Sequence, residues 1–245
     1  MAVFQMKIAG RVGRITSLFD STRDYCRAYL TEEKPDFSAV ITREDLQFEQ
    51  EALRQEAIEE GMKIRRFTDP FLDRAAIQRR FAEYLFDHNT LLFHGSTVAV
   101  DGQAYLFTAA CGTGKSTHTR LWRQVFGDRA VMVNDDKPFL RIEADRVLAC
   151  GAPWSGKHGL DTNITAALAG ICILERGSEN TIRPISPAEA MPRLLHEACA
   201  PLDPGKAERF RALVETLAVK TPLWRMTCTR DPAAARTAWE AMRPV

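Results

Sequence analysis

Thr108-Ala109-Ala110-Cys111-Gly112-Thr113-Gly114-Lys115-Ser116-Thr117 follows the apolar run Ala104-Tyr105-Leu106-Phe107 and opens into His118-Thr119-Arg120-Leu121-Trp122-Arg123, which reads as a helix. A strand, a glycine-rich turn and a helix headed by Lys-Ser together suit a polyphosphate. Backbone N–H groups along Cys111 to Thr117 would curl round the phosphates, and the helix N-terminus would add its positive dipole end. Lys115 is expected to reach the β/γ oxygens, and Ser116 to place its hydroxyl on a Mg²⁺ bridging the same phosphates. In the spacing G-x-x-x-x-G-K-[ST] the first glycine falls at Ala109. Gly112 and Gly114 remain, where backbone comes closest to phosphate.

Working outward, Asp101-Gly102 between two apolar runs signals a two-residue hairpin, joining a strand over 97–100 to one over 103–108. The strand feeding the loop therefore has an antiparallel partner directly before it. After the loop helix, Ala130-Val131-Met132-Val133 predicts a strand ending on Asn134-Asp135-Asp136. An apolar strand that delivers acids at its C-terminal end is where a Mg²⁺ ligand or proton acceptor belongs in an α/β nucleotide site. Asp135 and Asp136 point different ways from an extended chain, so one can face metal and nucleophile while the other anchors the loop. Gly151-Ala152-Pro153-Trp154-Ser155-Gly156-Lys157-His158 then offers a ring, a cation and an imidazole on an irregular loop. Trp154, Lys157 and His158 could clamp a substrate or a phosphoryl group in flight, or form a structured turn around a packed Trp. His118, one turn beyond Lys115, is assigned to packing or surface.

The chain has 245 residues, 45% hydrophobic and 27% charged, enough for a substantial core, with a net charge of +1. That balance argues against a dominant nucleic-acid or membrane role. Six cysteines are scattered without a C-x-x-C pair, a pattern suited to reduced thiols in the cytoplasm. Residues 1–88 read as a small α+β region: a hairpin around Ala9-Gly10, a helix over 22–30, a strand over 37–41, and helices over 42–60 and 69–86. Arg65, Arg66, Arg79 and Arg80 read as solvated faces. Residues 89–245 read as the catalytic domain. Its tail carries a buried strand over 166–174 and a capping box with N1 proline at Ser186-Pro187-Ala188-Glu189, opening a helix to about residue 200. A helix over 206–218, a strand over 223–227 and a last helix opened by Asp231-Pro232 complete it.

Phe93-His94-Gly95-Ser96, the hairpin, Gly112-Thr113-Gly114-Lys115-Ser116 and Asp135-Asp136 resemble the shared core of HPr kinase/phosphorylase and phosphoenolpyruvate carboxykinase. Both families place a histidine on the strand before the hairpin, a loop of the type G-x-S-G-x-G-K-[ST], and an Asp-Asp pair. Here Ala109 replaces the first glycine and Cys111 the serine. The resemblance implies an α/β (α+β) fold with a P-loop core and mixed sheet, Lys115 and Ser116 on phosphates and Mg²⁺, an aspartate as base or metal ligand (Asp135 for the metal), and His94 supporting proton transfer or metal binding. The carboxykinases' upstream lysine is absent, since no lysine lies between Lys63 and Lys115. The Gly-Arg-Asn segment of the HPr kinases is absent too. What is implied is a small kinase of the same fold, using ATP and Mg²⁺ and acting on a hydroxyl of a small metabolite or of a serine-like residue in a peptide. The competing readings are a nucleotide-binding regulatory module without turnover and a bifunctional kinase/phosphorylase. Oligomeric state stays open, a homo-oligomer included.

Overall fold

The computed structural model describes residues 1–59, 61–110, 112–156 and 158–244, so Cys111 and Lys157, both singled out above, lie outside the described residues. By its contacts the chain divides into two compact units, Met1–Leu85 and Phe86–Val245.

In the first unit, β1 (Ala2–Ile8) and β2 (Arg11–Ser17) form an antiparallel hairpin. Its turn places Ala9 and Gly10 at φ of 49° and 81°, the two positive values a primed two-residue turn requires. The segment expected as one helix over 22–30 breaks in two. The helix α1 (Asp20–Tyr25) ends, and a single 3₁₀ turn over Arg27–Tyr29 follows, with Cys26 and Tyr29 turned fully inward. The strand β3 (Phe37–Val40) pairs parallel with β2. The helix α2 (Arg43–Glu59) starts on a reciprocal cap, in which Thr42 Oγ1 accepts from Asp45 N and Asp45 Oδ2 accepts from Thr42 N. The helix α3 (Asp69–Phe86) carries Arg79 and Arg80. Arg79 does not lie on a solvated face. Its side chain is 16% exposed and binds Asp45 and Glu49, while Arg80 also reaches Asp45.

The second unit builds one mixed sheet from β4 (Thr90–Leu92), β5 (Ser96–Val100), β6 (Gln103–Thr108), β7 (Ala130–Asn134), β8 (Phe139–Ile142), β9 (Val147–Cys150), β10 (Thr165–Arg176), β11 (Thr181–Pro184) and β12 (Leu223–Cys228). The strand order is β4-β8-β9-β10-β6-β5-β7, with β12 also paired to β10 and β11 to β12. Five strand spacings from β4 to β5 would span about 24 Å in a flat sheet. The four residue steps from Leu92 to Ser96 reach only about 14 Å. The sheet must therefore curl, and the link that carries His94 crosses its mouth.

Helices α4 (Lys115–Phe126), α5 (Pro187–Glu197), α6 (Ala207–Lys220) and α7 (Ala233–Met242) cover the sheet. On one face, Leu194, Val214 and Leu217 pack with Leu106 and Ile171; on the other, Trp122, Ala235 and Met242 pack with Phe107 and Cys172. The helix α5 starts where the sequence predicts, with Ser186 Oγ accepting from Glu189 N, but it ends at Glu197 rather than near residue 200. The chain turns extended at Ala198 because Ala198 bridges Phe93 and Cys199 N donates to Leu92 O. Pairing with the end of β4 outcompetes another turn of helix.

Candidate functional site

Topology brings the candidate residues together at one edge. The strand β10 runs parallel to β6, and β5 pairs antiparallel with both β6 and β7, so β6, β7 and β10 point the same way. The loop after β6, the acids after β7, Arg176 at the end of β10 and the start of β5 therefore share one end of the sheet, the end where α/β proteins hold ligands.

The loop delivers a helix N-terminus with no side-chain cap. Gly114 stands at the N-cap with φ 124°, a conformation only glycine adopts freely, and Gly112 has φ 73°. The N–H groups of the first turn are thus open to an anionic ligand. Lys115 Nζ lies back across the loop and donates to Ala109 O at 3.0 Å. Arg176 donates to the carbonyls of Gly112 and Thr113, a tie that no local motif announces. His118 faces inward, 2% exposed, ring to ring with Phe107 at 4.5 Å, and its Nε2 accepts from Trp122 Nε1 at 3.1 Å. Burial pulls its pKa down to about 3, so this imidazole is a neutral core residue.

The acids are organised by a residue the sequence reading passed over. Asn134, fully buried, accepts from the N–H of Asp136 and of Lys137 through Oδ1, at 2.8 and 2.7 Å. Its Nδ2 donates to Ala152 O and Trp154 O at 2.8 and 3.1 Å. One amide thus shapes the Asp135-Asp136 turn and fastens the 151–156 loop beneath it. An Asn directly before an acid pair, at a strand end, was the available signal. The loop also needs Gly151, because a Cβ there would stand 1.8 Å from Thr162 O.

Asp135 is 4% exposed. Its Oδ1 accepts from Gly156 N at 2.6 Å, while Oδ2 is buried without a hydrogen-bond partner among the described residues. Burial raises its pKa, the Gly156 N–H opposes, and the neighbouring Asp136 charge raises it further. Asp136 is more open. His94, in the link between β4 and β5 rather than on a strand, places Nε2 at 3.6 Å from Asp136 Oδ1 and Nδ1 at 3.0 Å from Glu197 Oε2. Glu197 is almost wholly buried and also binds Arg193. Burial alone would raise its pKa; hydrogen bonds from His94 and Arg193 and the charge of Lys115 outweigh that and hold it below the usual carboxylate range. The backbone repeats the link, with His94 N donating to Glu197 O and Gly95 N to Asp136 O, both at 2.8 Å. Glu197 was missed in the sequence. An acid in the last turn of a helix, where the dipole disfavours it, was the only hint.

These groups enclose a cavity of about 680 Å³. One wall is Gly112, Gly114, Lys115, Ser116 and Thr117; the other is His94, Asp135, Asp136 and His158. Trp154 does not line it. The ring is 7% exposed and meets Phe139 edge-on at 6.3 Å, the packed alternative of the two that the sequence offered. Among the described residues no group of three or more His, Cys, Asp and Glu could hold a metal. Mg²⁺ bound with nucleotide phosphates needs only one or two protein oxygens besides. Asp135 Oδ2, without a partner among the described residues, and the Ser116 hydroxyl fit that hard-oxygen set.

No family model matches the chain, and no curated protein matches it. Among solved structures the chain is similar to the Hpr(Ser) kinase/phosphatase from Coxiella burnetii, at 9% identity over 62% of this chain and 99% of that one, with a TM-score of 0.37. A likeness that slight carries no weight for the reaction, which rests on the geometry of the cavity.

Proposed function

We propose that this chain is an ATP-dependent kinase that transfers the γ-phosphate to a hydroxyl, of a small metabolite or of a serine-like residue in a peptide. The observation that carries this reading is a single cavity with the open head of α4, Lys115 and Ser116 on one side and Asp135, Asp136 and His94 on the other. The loop N–H groups and Lys115 hold the donor's phosphates. Ser116 and Asp135 would hold Mg²⁺, which would supply charge neutralisation on those phosphates. Asp136, the more exposed acid, accepts the hydroxyl proton. The acceptor oxygen then forms its bond to the γ-phosphorus as the bond to the β–γ bridging oxygen breaks, and ADP leaves. His94 is oriented by Glu197 and keeps Nε2 beside Asp136, where it steadies the carboxylate and takes part of the proton's charge. His158 and Lys157 serve the acceptor side.

The test is incubation with Mg²⁺-ATP and a panel of hydroxyl compounds and peptides, read by mass spectrometry, beside calorimetric ATP binding. A product 80 Da heavier than one acceptor, about the mass of the transferred phosphoryl group, is the expected result. Absence of Mg²⁺-ATP binding to the folded chain would overturn the reading.

A further inference from the structure

The cavity is also lined by two guanidiniums that no carboxylate among the described residues answers. Arg120 and Arg123 are exposed and line it together with Lys115 and the aspartates. Most arginines of this unit are matched by a carboxylate, as in Arg129 with Asp101, Arg183 with Glu189 and Arg225 with Glu175. Arg120 and Arg123 have no ion pair or side-chain hydrogen bond among the described residues. With Ser116 they fall at i, i+4 and i+7, a single stripe along α4. At the helical rise their backbones stand roughly 7 and 12 Å beyond that of Lys115 along the axis of α4. Arg123 and Leu160 also wall a second cavity of about 570 Å³, bounded by Gly127 to Met132 and Gly159 to Thr162. Arg123 and Leu160 thus line both cavities and Arg120 the first alone, and each cavity is of a size that suits a small molecule.

Unpaired guanidiniums lining a cavity are receptors for a planar or tetrahedral oxyanion. We propose that the acceptor is a small hydroxyl compound carrying an oxyanion of its own, a phosphomonoester or carboxylate, clamped by Arg120 and Arg123, with its body directed into the second cavity. This rests on the phosphoryl-transfer reading of the site. The donor's phosphates are answered by Lys115, the helix head and Mg²⁺, which leaves this second pair of cations for the acceptor.

The experiment uses the full chain preloaded with Mg²⁺ and a non-hydrolysable ATP analogue, so that the γ-phosphate position is filled. Calorimetry then follows inorganic phosphate, glycerol 3-phosphate, glycerate and glycerol. Wild type is expected to bind at least one of the three anions and not glycerol. The double variant Arg120→Gln/Arg123→Gln should weaken that binding at least tenfold while analogue affinity stays within about threefold. Arg120→Lys/Arg123→Lys should restore part of it, because the charges return without the forks. Both side chains are exposed, so the variants should melt with wild type. No anion bound by the analogue-loaded wild type overturns the inference, as does a double variant that loses analogue and anion equally, which would assign the arginines to the donor. If the analogue itself does not bind wild type, the phosphoryl-transfer reading fails, and the inference with it, by a separately visible result.

Discussion

Asp45 in the Met1–Leu85 unit and Asp135 in the Phe86–Val245 unit are almost equally buried, at 7% and 4% exposed, yet they behave oppositely. Burial works to raise both carboxyls. At Asp45 it is outweighed by hydrogen bonds from Thr42 and Arg79 and by the charge of Arg80, and the pKa falls. At Asp135 burial outweighs the N–H of Gly156, the charge of His158 and its own backbone N–H, a second carboxylate stands next door, and the pKa rises. The first is a closed network, with Arg79 shared between Asp45 and Glu49 and stacked over Phe48 at 4.7 Å. The second is open: among the described residues it has an oxygen without a partner, a lysine lying on its own loop, and two arginines without acids. Completed charge reads as scaffold, and incomplete charge around a cavity reads as a place for a ligand.

The largest effect expected from breaking this contrast is on turnover. Asp136→Asn should lower phosphoryl transfer by on the order of a thousandfold, the size of a lost general base, with Mg²⁺-ATP affinity nearly unchanged. Lys115→Ala should instead lower affinity and turnover together. Steady-state rates beside calorimetry on the same samples separate the two, and a wild-type rate in Asp136→Asn would dismiss it as the base.

Next in size is the closed network. Arg79→Met strips Glu49 and Asp45 of their shared partner and should cost about 2 kcal/mol of stability, below the cost of breaking a fully buried pair because Arg79 keeps some solvent. Urea unfolding reads it. A loss under about 0.5 kcal/mol would return Arg79 to the solvated face that the sequence suggested.

His118 supplies a pH test of similar size. Its folded pKa lies near 3 against 6.5 unfolded, so its contribution is intact above pH 6.5 and is lost as pH falls toward 3. At pH 5 the loss should be about 2 kcal/mol. His118→Gln, which keeps an acceptor for Trp122, should flatten the melting temperature between pH 7 and 5; an equally steep decline would place the acid sensitivity elsewhere.

The smallest effect is the sharpest for the comparison. Asp135→Asn removes a charge the fold holds reluctantly, so stability should stay level or rise by less than about 1 kcal/mol, whereas Asp45→Asn should destabilise. A raised carboxyl favours the fold when protonated and loses that advantage as pH climbs through its folded pKa. The benefit of Asn over Asp at 135 should therefore grow from pH 4.5 to 7.5 in urea unfolding, and the opposite trend would contradict the open-site description.

Much of the fold was legible because its signals are local. Asp101-Gly102 specified its hairpin through positive φ at both positions, 51° and 80°, and Ser186-Pro187-Ala188-Glu189 specified the start of α5 through one cap hydrogen bond. Where such signals compete with distant pairing they fail: α5 stops three residues early because Ala198 pairs with Phe93, and Arg79 is drawn inward by acids 30 and 34 residues before it. For Trp154 the sequence left two readings, substrate clamp or packed ring, and the burial of the ring against Phe139 favours the second.

By itself, then, the sequence determined the strand–loop–helix with Lys115 and Ser116 at its head, the acids closing a strand, and a histidine ahead of the hairpin, since each needs only neighbouring residues and backbone preference. Only the tertiary structure decided that these meet. Parallel β6, β7 and β10 bring their ends to one edge, and the curl of the sheet carries His94 to Asp136. The early end of α5 delivers Glu197 to His94, and Asn134 locks the acid turn to the loop beneath it. Those partners lie up to 103 residues apart, His94 to Glu197, and burial and long-range pairing, which no local window contains, bring them together.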